Sequence, residues 1–165
     1  MDKDKITLVL IKFEQKQIVW KILQDYLQEL SQFGRQKKNE KGEYQYQYFD
    51  SYWEDNKRYP FFIMIDNEIA GFIFVNNHSV LSEDNNLHAI GEFYILPKFR
   101  KIGIGKEAAF QIFNQFSGKW EVSQLNGNLQ AIEFWRKVIN EFTKDRYKEI
   151  NNSLGPVQTF ISNDK

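Results

Sequence analysis

The segment with the clearest chemistry in this 165-residue chain is Arg100-Lys101-Ile102-Gly103-Ile104-Gly105-Lys106, two glycines one residue apart in a run of cations. Pro97 ends the strand before it, because proline has no amide to donate, and a helical pattern opens near Gly105. A tight turn between strand and helix aims successive backbone amides toward the helix N-terminus, an arrangement that binds anions such as phosphate. Gly103 and Gly105 allow positive φ and let a phosphate approach the backbone where a Cβ would block it, while Arg100, Lys101 and Lys106 add positive charge. A purely structural turn with solvated charges has the same spacing.

Nucleotide readings of this turn compete. A Walker A loop needs Gly-x-x-x-x-Gly-Lys followed by Ser or Thr; here the glycines are closer and Glu107 follows the lysine, so that reading fails. Gly103-x-Gly105-x-x-Ala108 formally matches the dinucleotide fingerprint, as in a nicotinamide enzyme. A doubly wound domain, however, needs further parallel units downstream, and the remaining chain ends in segments patterned as antiparallel strands. The acid expected at the end of the next strand is also misplaced, since Glu121 lies near that strand's start.

The elements that must position this turn follow from the apolar pattern. Ile6 to Ile11 reads as a buried strand, and Glu14 to Phe33 as a helix with Ile18, Ile22, Tyr26 and Leu30 on one face beside Val19, Leu23 and Leu27; Gly34 closes it. Residues 35–47 are polar with Tyr44, Tyr46 and Tyr48 alternating with Gln, a long loop or edge extension, and Phe49 to Asn56 reads as a second, shorter helix. Phe61 to Ile65 and Ile69 to Val75 form a hairpin around Asp66-Asn67-Glu68. His88 to Leu96 is a strand, Gly105 to Phe116 a helix, Trp120 to Leu125 a strand and Leu129 to Ile139 a helix. Tyr147 to Ile150 and Val157 to Ile161 end the chain as a strand pair, which either builds a dimer sheet or folds back on its own chain. The predicted order is β-α-α-β-β-β-α-β-α-β-β, an α/β mixed sheet in one domain over residues 1–165, with a parallel right-handed unit at 88–125.

Composition narrows the function classes. Lys plus Arg and Asp plus Glu both number 22, so the net charge is zero, which argues against a nucleic-acid partner held by bulk charge. Cysteine is absent and only His78 and His88 are histidines, which excludes thiolate chemistry and leaves no ordinary ligand set for a transition metal. The charged start at Met1 to Lys5 is unlike a signal peptide, and no apolar run is long enough to span a membrane, so the chain reads as cytoplasmic. With 15 Phe, 8 Tyr and 4 Trp, the core should be rich in rings.

Arg100-x-x-Gly103-x-Gly105 resembles the Arg/Gln-x-x-Gly-x-Gly/Ala pyrophosphate motif of the GNAT superfamily of N-acetyltransferases. Phe93-Tyr94-Ile95-Leu96-Pro97 is similar to the strand preceding that motif, and Asn128-x-x-Ala131-x-x-Phe134-Trp135 to the second motif on the following helix. Gly118 to Val122, Phe134 to Ile139 and Gly155 to Gln158 further resemble a bacterial group described only as predicted acetyltransferases. The resemblance implies acetyl-coenzyme A as co-substrate, with the amides of Lys101, Ile102, Gly103, Ile104, Gly105 and Lys106 holding its pyrophosphate. It also implies that the backbone at Ile95 pairs with the pantetheine amides like an added strand. Asn128 would contact that arm, and Ala131, Phe134 and Trp135 would lie along it; the same three residues also suit a core-facing helix.

The implied function is transfer of acetyl to a primary amine of a small molecule or peptide by direct attack in a ternary complex; the alternative is a non-catalytic acyl-coenzyme A binding module. Acetyl transfer needs a neutral amine, a donor for the oxyanion and a proton for the departing thiolate. An alkyl ammonium titrates near ~10.4, so a base must act on it. Glu92 is the candidate, as base or as the anionic contact for the substrate's charge. The amide of Ile95 or Leu96 would serve the oxyanion. Family members often carry a Tyr acid where this chain has Trp135, and an indole cannot replace it, so Tyr94 is the substitute considered. In a regular strand His88, Ile90, Glu92 and Tyr94 share a face, an assignment that a bulge would reverse. Acceptor selection falls to the first helix pair and the loop from Gln36 to Tyr48 with the Trp53 region, whose rings form either a wall for a cation or core.

Overall fold

The computed structural model describes residues 5–34 and 36–163; residues 1–4, Arg35 and residues 164–165 lie outside them. The elements in chain order are β1 (Ile6–Leu10), α1 (Lys16–Leu30), α2 (Ser51–Glu54), β2 (Tyr59–Ile65), β3 (Glu68–Asn76), β4 (His88–Ile95), α3 (Ile104–Gln115), β5 (Gly118–Ser123), α4 (Leu129–Thr143), β6 (Lys148–Asn152) and β7 (Gly155–Ser162). The seven strands make one sheet in the order β1-β2-β3-β4-β5-β7-β6. All neighbours are antiparallel except β4 and β5, the pair joined through α3. The terminal strand pair folds back onto its own sheet, with β7 between β5 and β6.

Strands β2 and β3 are near-continuous apolar runs because both sheet faces are covered there. Along β2, Phe61, Ile63 and Ile65 enter the core under α3 and α4, whereas Phe62 enters the core under α1. Ala108, Ala109, Ile112 and Phe113 of α3, with Trp135, Val138 and Ile139 of α4, close the first core around Trp120. In α1 the buried line is Val19, Leu23 and Leu27, each contributing on the order of 1.5–3 kcal/mol. The face centre thus sits one residue from the expected line: Ile18 is 45% exposed, and Tyr26 and Leu30 lean off the core toward a cavity.

Several bounds differ from the sequence reading: α1 spans Lys16–Leu30 instead of 14–33, and β5 spans Gly118–Ser123 instead of 120–125. The second helix shrinks to Ser51–Glu54, because Phe49 and Tyr52 are held by ring packing against Phe74 rather than by a longer helical repeat. Helix α4 runs on to Thr143 and ends where Lys144 adopts φ 53, a stop that polar Asn140, Glu141 and Thr143 conceal from an apolar pattern. Among the described residues no helix is long and apolar enough to cross a membrane.

Candidate active site

The site lies where β4 and β5 part. Those strands pair only at His88↔Trp120 and Ala89↔Glu121; beyond this β4 follows β3, and β5 follows β7. The divergence begins at a bulge. Phe74 opposes Glu92 and Val75 opposes Ile90, leaving Gly91 unmatched. A Cβ at Gly91 would sit 2.7 Å from Asn76 Nδ2 and from Tyr52 Oη, so any side chain here would have to push those groups aside. The extra residue reverses the alternation, and the shared face expected for a regular strand is therefore divided. His88 stacks on Phe116 with ring centroids 4.5 Å apart, on the α3 side, where burial and then Lys57 lower its pKa. Glu92 and Tyr94 point to the α1 side.

A cavity of about 310 Å³ fills the gap, bordered by Tyr26, Leu30, Glu92, Phe93, Asn128, Ala131, Trp135 and the β6–β7 turn. Glu92 is partly buried, and its Oε1 and Oε2 each accept a phenolic hydroxyl at 2.6 Å, from Tyr26 and Tyr46 respectively. Burial pushes the Glu92 carboxyl above its ordinary range, and the two hydroxyls pull it part of the way back. Burial followed by the Glu92 charge holds both phenols well above the ordinary tyrosine range, so both remain protonated. Tyr26 and Tyr46 were not singled out from the sequence as site residues. Tyr26 read as one member of an apolar helix stripe and Tyr46 as one of three alternating loop tyrosines; the only signal was a polar tip at the end of an otherwise buried row.

Tyr94 is placed differently. Its hydroxyl donates to Glu29 Oε2 at 2.6 Å, and it does not border the cavity. Arg100 lies over the Tyr94 ring, pairs with both Glu29 oxygens at 3.1 Å and donates from Nε to the Ile95 carbonyl at 2.7 Å. This holds the Glu29 carboxyl below its usual range despite partial burial. Arg100 thus braces α1 against the end of β4 instead of facing the glycine turn. Leu96 is also corrected as an oxyanion donor, since its amide is taken by the Ala70 carbonyl at 2.8 Å. Backbone groups alternate sides along a strand, so the Ile95 amide faces the gap, where its carbonyl takes Arg100.

At the turn, Lys101 has φ 67 and Gly103 φ 87, and α3 begins at Ile104. Gly105 is not in the positive-φ region; it lies in the first helical turn, where a Cβ would come within 3.2 Å of the Phe134 ring. Among the described residues, none of the six amides from Lys101 to Lys106 meets a protein acceptor; the Glu107 amide is the first to bond, to the Gly103 carbonyl at 3.2 Å. Lys106 is paired with Glu141 at 2.6 Å. On α4, Asn128 caps the helix by accepting the Ala131 amide at 3.3 Å and also borders the cavity, while Phe134 and Trp135 pack on Phe93. The aromatic loop is divided as well: Tyr44, Phe49 and Tyr52 are core, whereas Tyr46 reaches Glu92.

Free amides at a helix N-terminus, a geometry that suits an anion, lead along an open strand edge to a partly buried carboxylate. The chain belongs to the acetyltransferase (GNAT) family, whose model matches residues 19–139, and it is an enzyme of that family, which uses acetyl-coenzyme A. A comparison with curated proteins finds no match. Among solved structures, an acetyltransferase from Thermus thermophilus is similar at TM-score 0.70 and 9% identity, covering 98% of each chain. A spermidine N-acetyltransferase from Vibrio cholerae, in complex with CoA and spermine, is similar at TM-score 0.65 and 10% identity over 96% of each chain. The aminoglycoside acetyltransferase AAC(6')-Ib, in complex with coenzyme A and kanamycin, is similar at TM-score 0.67 and 14% identity over 94% of each chain. These likenesses bear on the fold.

Proposed function

We propose that this chain moves the acetyl group of acetyl-coenzyme A to a primary amine of a small molecule or peptide, by direct attack in a ternary complex. The observation that carries the reading is the Glu92 carboxylate, raised in pKa and opening into the cavity where β4 and β5 separate. The residues present fit the co-substrate. The six unpaired amides at 101–106 suit its pyrophosphate, and the gap-facing backbone of Phe93 and Ile95, with Asn128, Ala131, Phe134 and Trp135, suits its arm. When bound, it supplies an activated acetyl thioester.

The chain's own groups do the rest. Glu92 takes a proton from the incoming ammonium at Oε1 or Oε2, directly or through one water, and a raised pKa brings it closer to the working pH. Tyr26 borders the cavity with its proton at Oη and hydrogen-bonded to Glu92, so it can release that proton into the cavity and recover one from the protonated carboxyl. This gives Tyr26 the acid role that Trp135 cannot fill and that Tyr94, committed to Glu29, does not reach. The Ile95 amide is the available backbone donor for the oxyanion. The test is free-thiol release from acetyl-coenzyme A on adding primary amines. Release that depends on the amine is expected; tight acetyl-coenzyme A binding with no release from a broad set of amines refutes the reading.

A further inference from the structure

The lining of the cavity on Glu92 is uneven in charge. Apolar surface comes from Leu30, Phe93, Leu125 and Trp135, and neutral polar groups come from Gln124 and Asn152. Glu92 is the only ionisable carboxylate in that lining, and no Lys or Arg borders it among the described residues. Of the other acids on the α1 side, Glu29 and Glu43 are already committed, and Asp25, exposed on α1, does not border the cavity. Glu29 is tied to Arg100 and Tyr94, and Glu43 accepts the Trp20 indole N–H at 2.8 Å.

We propose that the acceptor is a monoamine on a compact apolar body, carrying neither a second ammonium group nor a carboxylate. The inference rests on the acetyltransfer reading above. One carboxylate compensates one ammonium. A second cation drawn into this space would leave water with no partner, at the cost of its desolvation. A carboxylate on the acceptor would meet Glu92 as a like charge with no cation to offset it. The cavity of about 310 Å³ must also admit the acetyl-bearing end of the co-substrate, which keeps the acceptor small. Leu30 and Leu125 offer its body an apolar surface. Spermine and kanamycin, each with several ammonium groups, do not suit this lining.

Matched pairs test the inference on the full-length protein at saturating acetyl-coenzyme A, with thiol release as the signal: hexylamine against hexamethylenediamine, and phenethylamine against phenylalanine. The monoamine of each pair should have the higher kcat/KM, by about tenfold or more, the usual penalty for an uncompensated polar group. A diamine or amino acid used as fast as its partner overturns the inference and leaves the acetyltransfer reading intact. Leu154 is 68% exposed at the cavity rim, so Leu154→Glu adds a second carboxylate without disturbing the core. It should raise the diamine-to-monoamine ratio severalfold, and an unchanged ratio also overturns the inference. Silence across all four acceptors while other amines are used overturns the inference alone; silence across a broad set of amines, with acetyl-coenzyme A still bound, overturns the acetyltransfer reading as well.

Discussion

Burial of Glu92 costs the fold free energy, and the base role proposed for it depends on that burial. Its carboxyl is raised by burial, so the native state holds the Glu92 proton more tightly than the unfolded chain does. The associated stability is fully present below the ordinary carboxylate pKa and is lost as pH rises through the raised value. Glu92→Gln should remove that pH dependence. Across this window the parent should lose thermal stability relative to the variant as pH rises, and scanning melts over pH will show whether the two curves diverge. The same substitution should abolish the rising acid limb of the pH–rate profile; an unaltered profile and rate would mean that solvent or another group accepts the proton. At the turn, Gly105→Val places branched carbons against the Phe134 ring, 3.2 Å from where even a Cβ would sit. Acetyl-coenzyme A affinity should fall by two orders of magnitude or more, about 3 kcal/mol, as read by calorimetry on the folded variant.

At the scale of elements, the cavity depends on how loops are pinned to strands. Glu121 on β5 is 2% exposed and accepts the Ser79 hydroxyl and the Val80 amide, each at 2.7 Å. From the other side, Asn152 at the end of β6 donates to the Val80 carbonyl at 3.0 Å. The polar connection between β3 and β4 is thereby stapled across two strands, with Val80 as part of the cavity wall. Glu121→Ala leaves a hydroxyl and an amide without their acceptor and should cost about 1–3 kcal/mol in urea unfolding. Glu121→Gln retains one acceptor and should cost less. Equal midpoints for parent and Glu121→Ala would show that the staple contributes nothing. The bulge at Gly91 acts at this scale too, since one unmatched residue sends His88 into the α3 core and leaves Glu92 facing the tyrosines.

For the whole molecule, the splayed sheet unites two half-sites that neither half of the chain holds alone. Tyr26 and Tyr46 come from the N-terminal part and the phosphate turn and α4 from the C-terminal part, and β4 joins them. A ligand that bridges the halves stabilises the native state by mass action, about 2.7 kcal/mol at a hundredfold excess over Kd. In a chain of this length that corresponds to roughly 5–10 °C in Tm. Acetyl-coenzyme A should give such a shift and NAD none; a larger shift with NAD would contradict the acetyltransferase assignment of the turn.

Much of the frame was legible without coordinates, because apolar periodicity is local: each strand and helix of the parallel unit appears in the chain as a run or stripe. The anion turn was legible for the same reason, since its glycines, its helix and its cations are contiguous from Arg100 to Lys106. What local pattern cannot carry is which side of a strand a residue faces after a bulge, or which distant hydroxyl meets a carboxylate. The Glu92–Tyr26–Tyr46 cluster spans sequence separations of 66 and 46 residues, and Arg100 turns to Glu29 across 71. Those pairings arise only when α1 and the loop after it pack onto the sheet, so tertiary structure alone decided which groups meet Glu92.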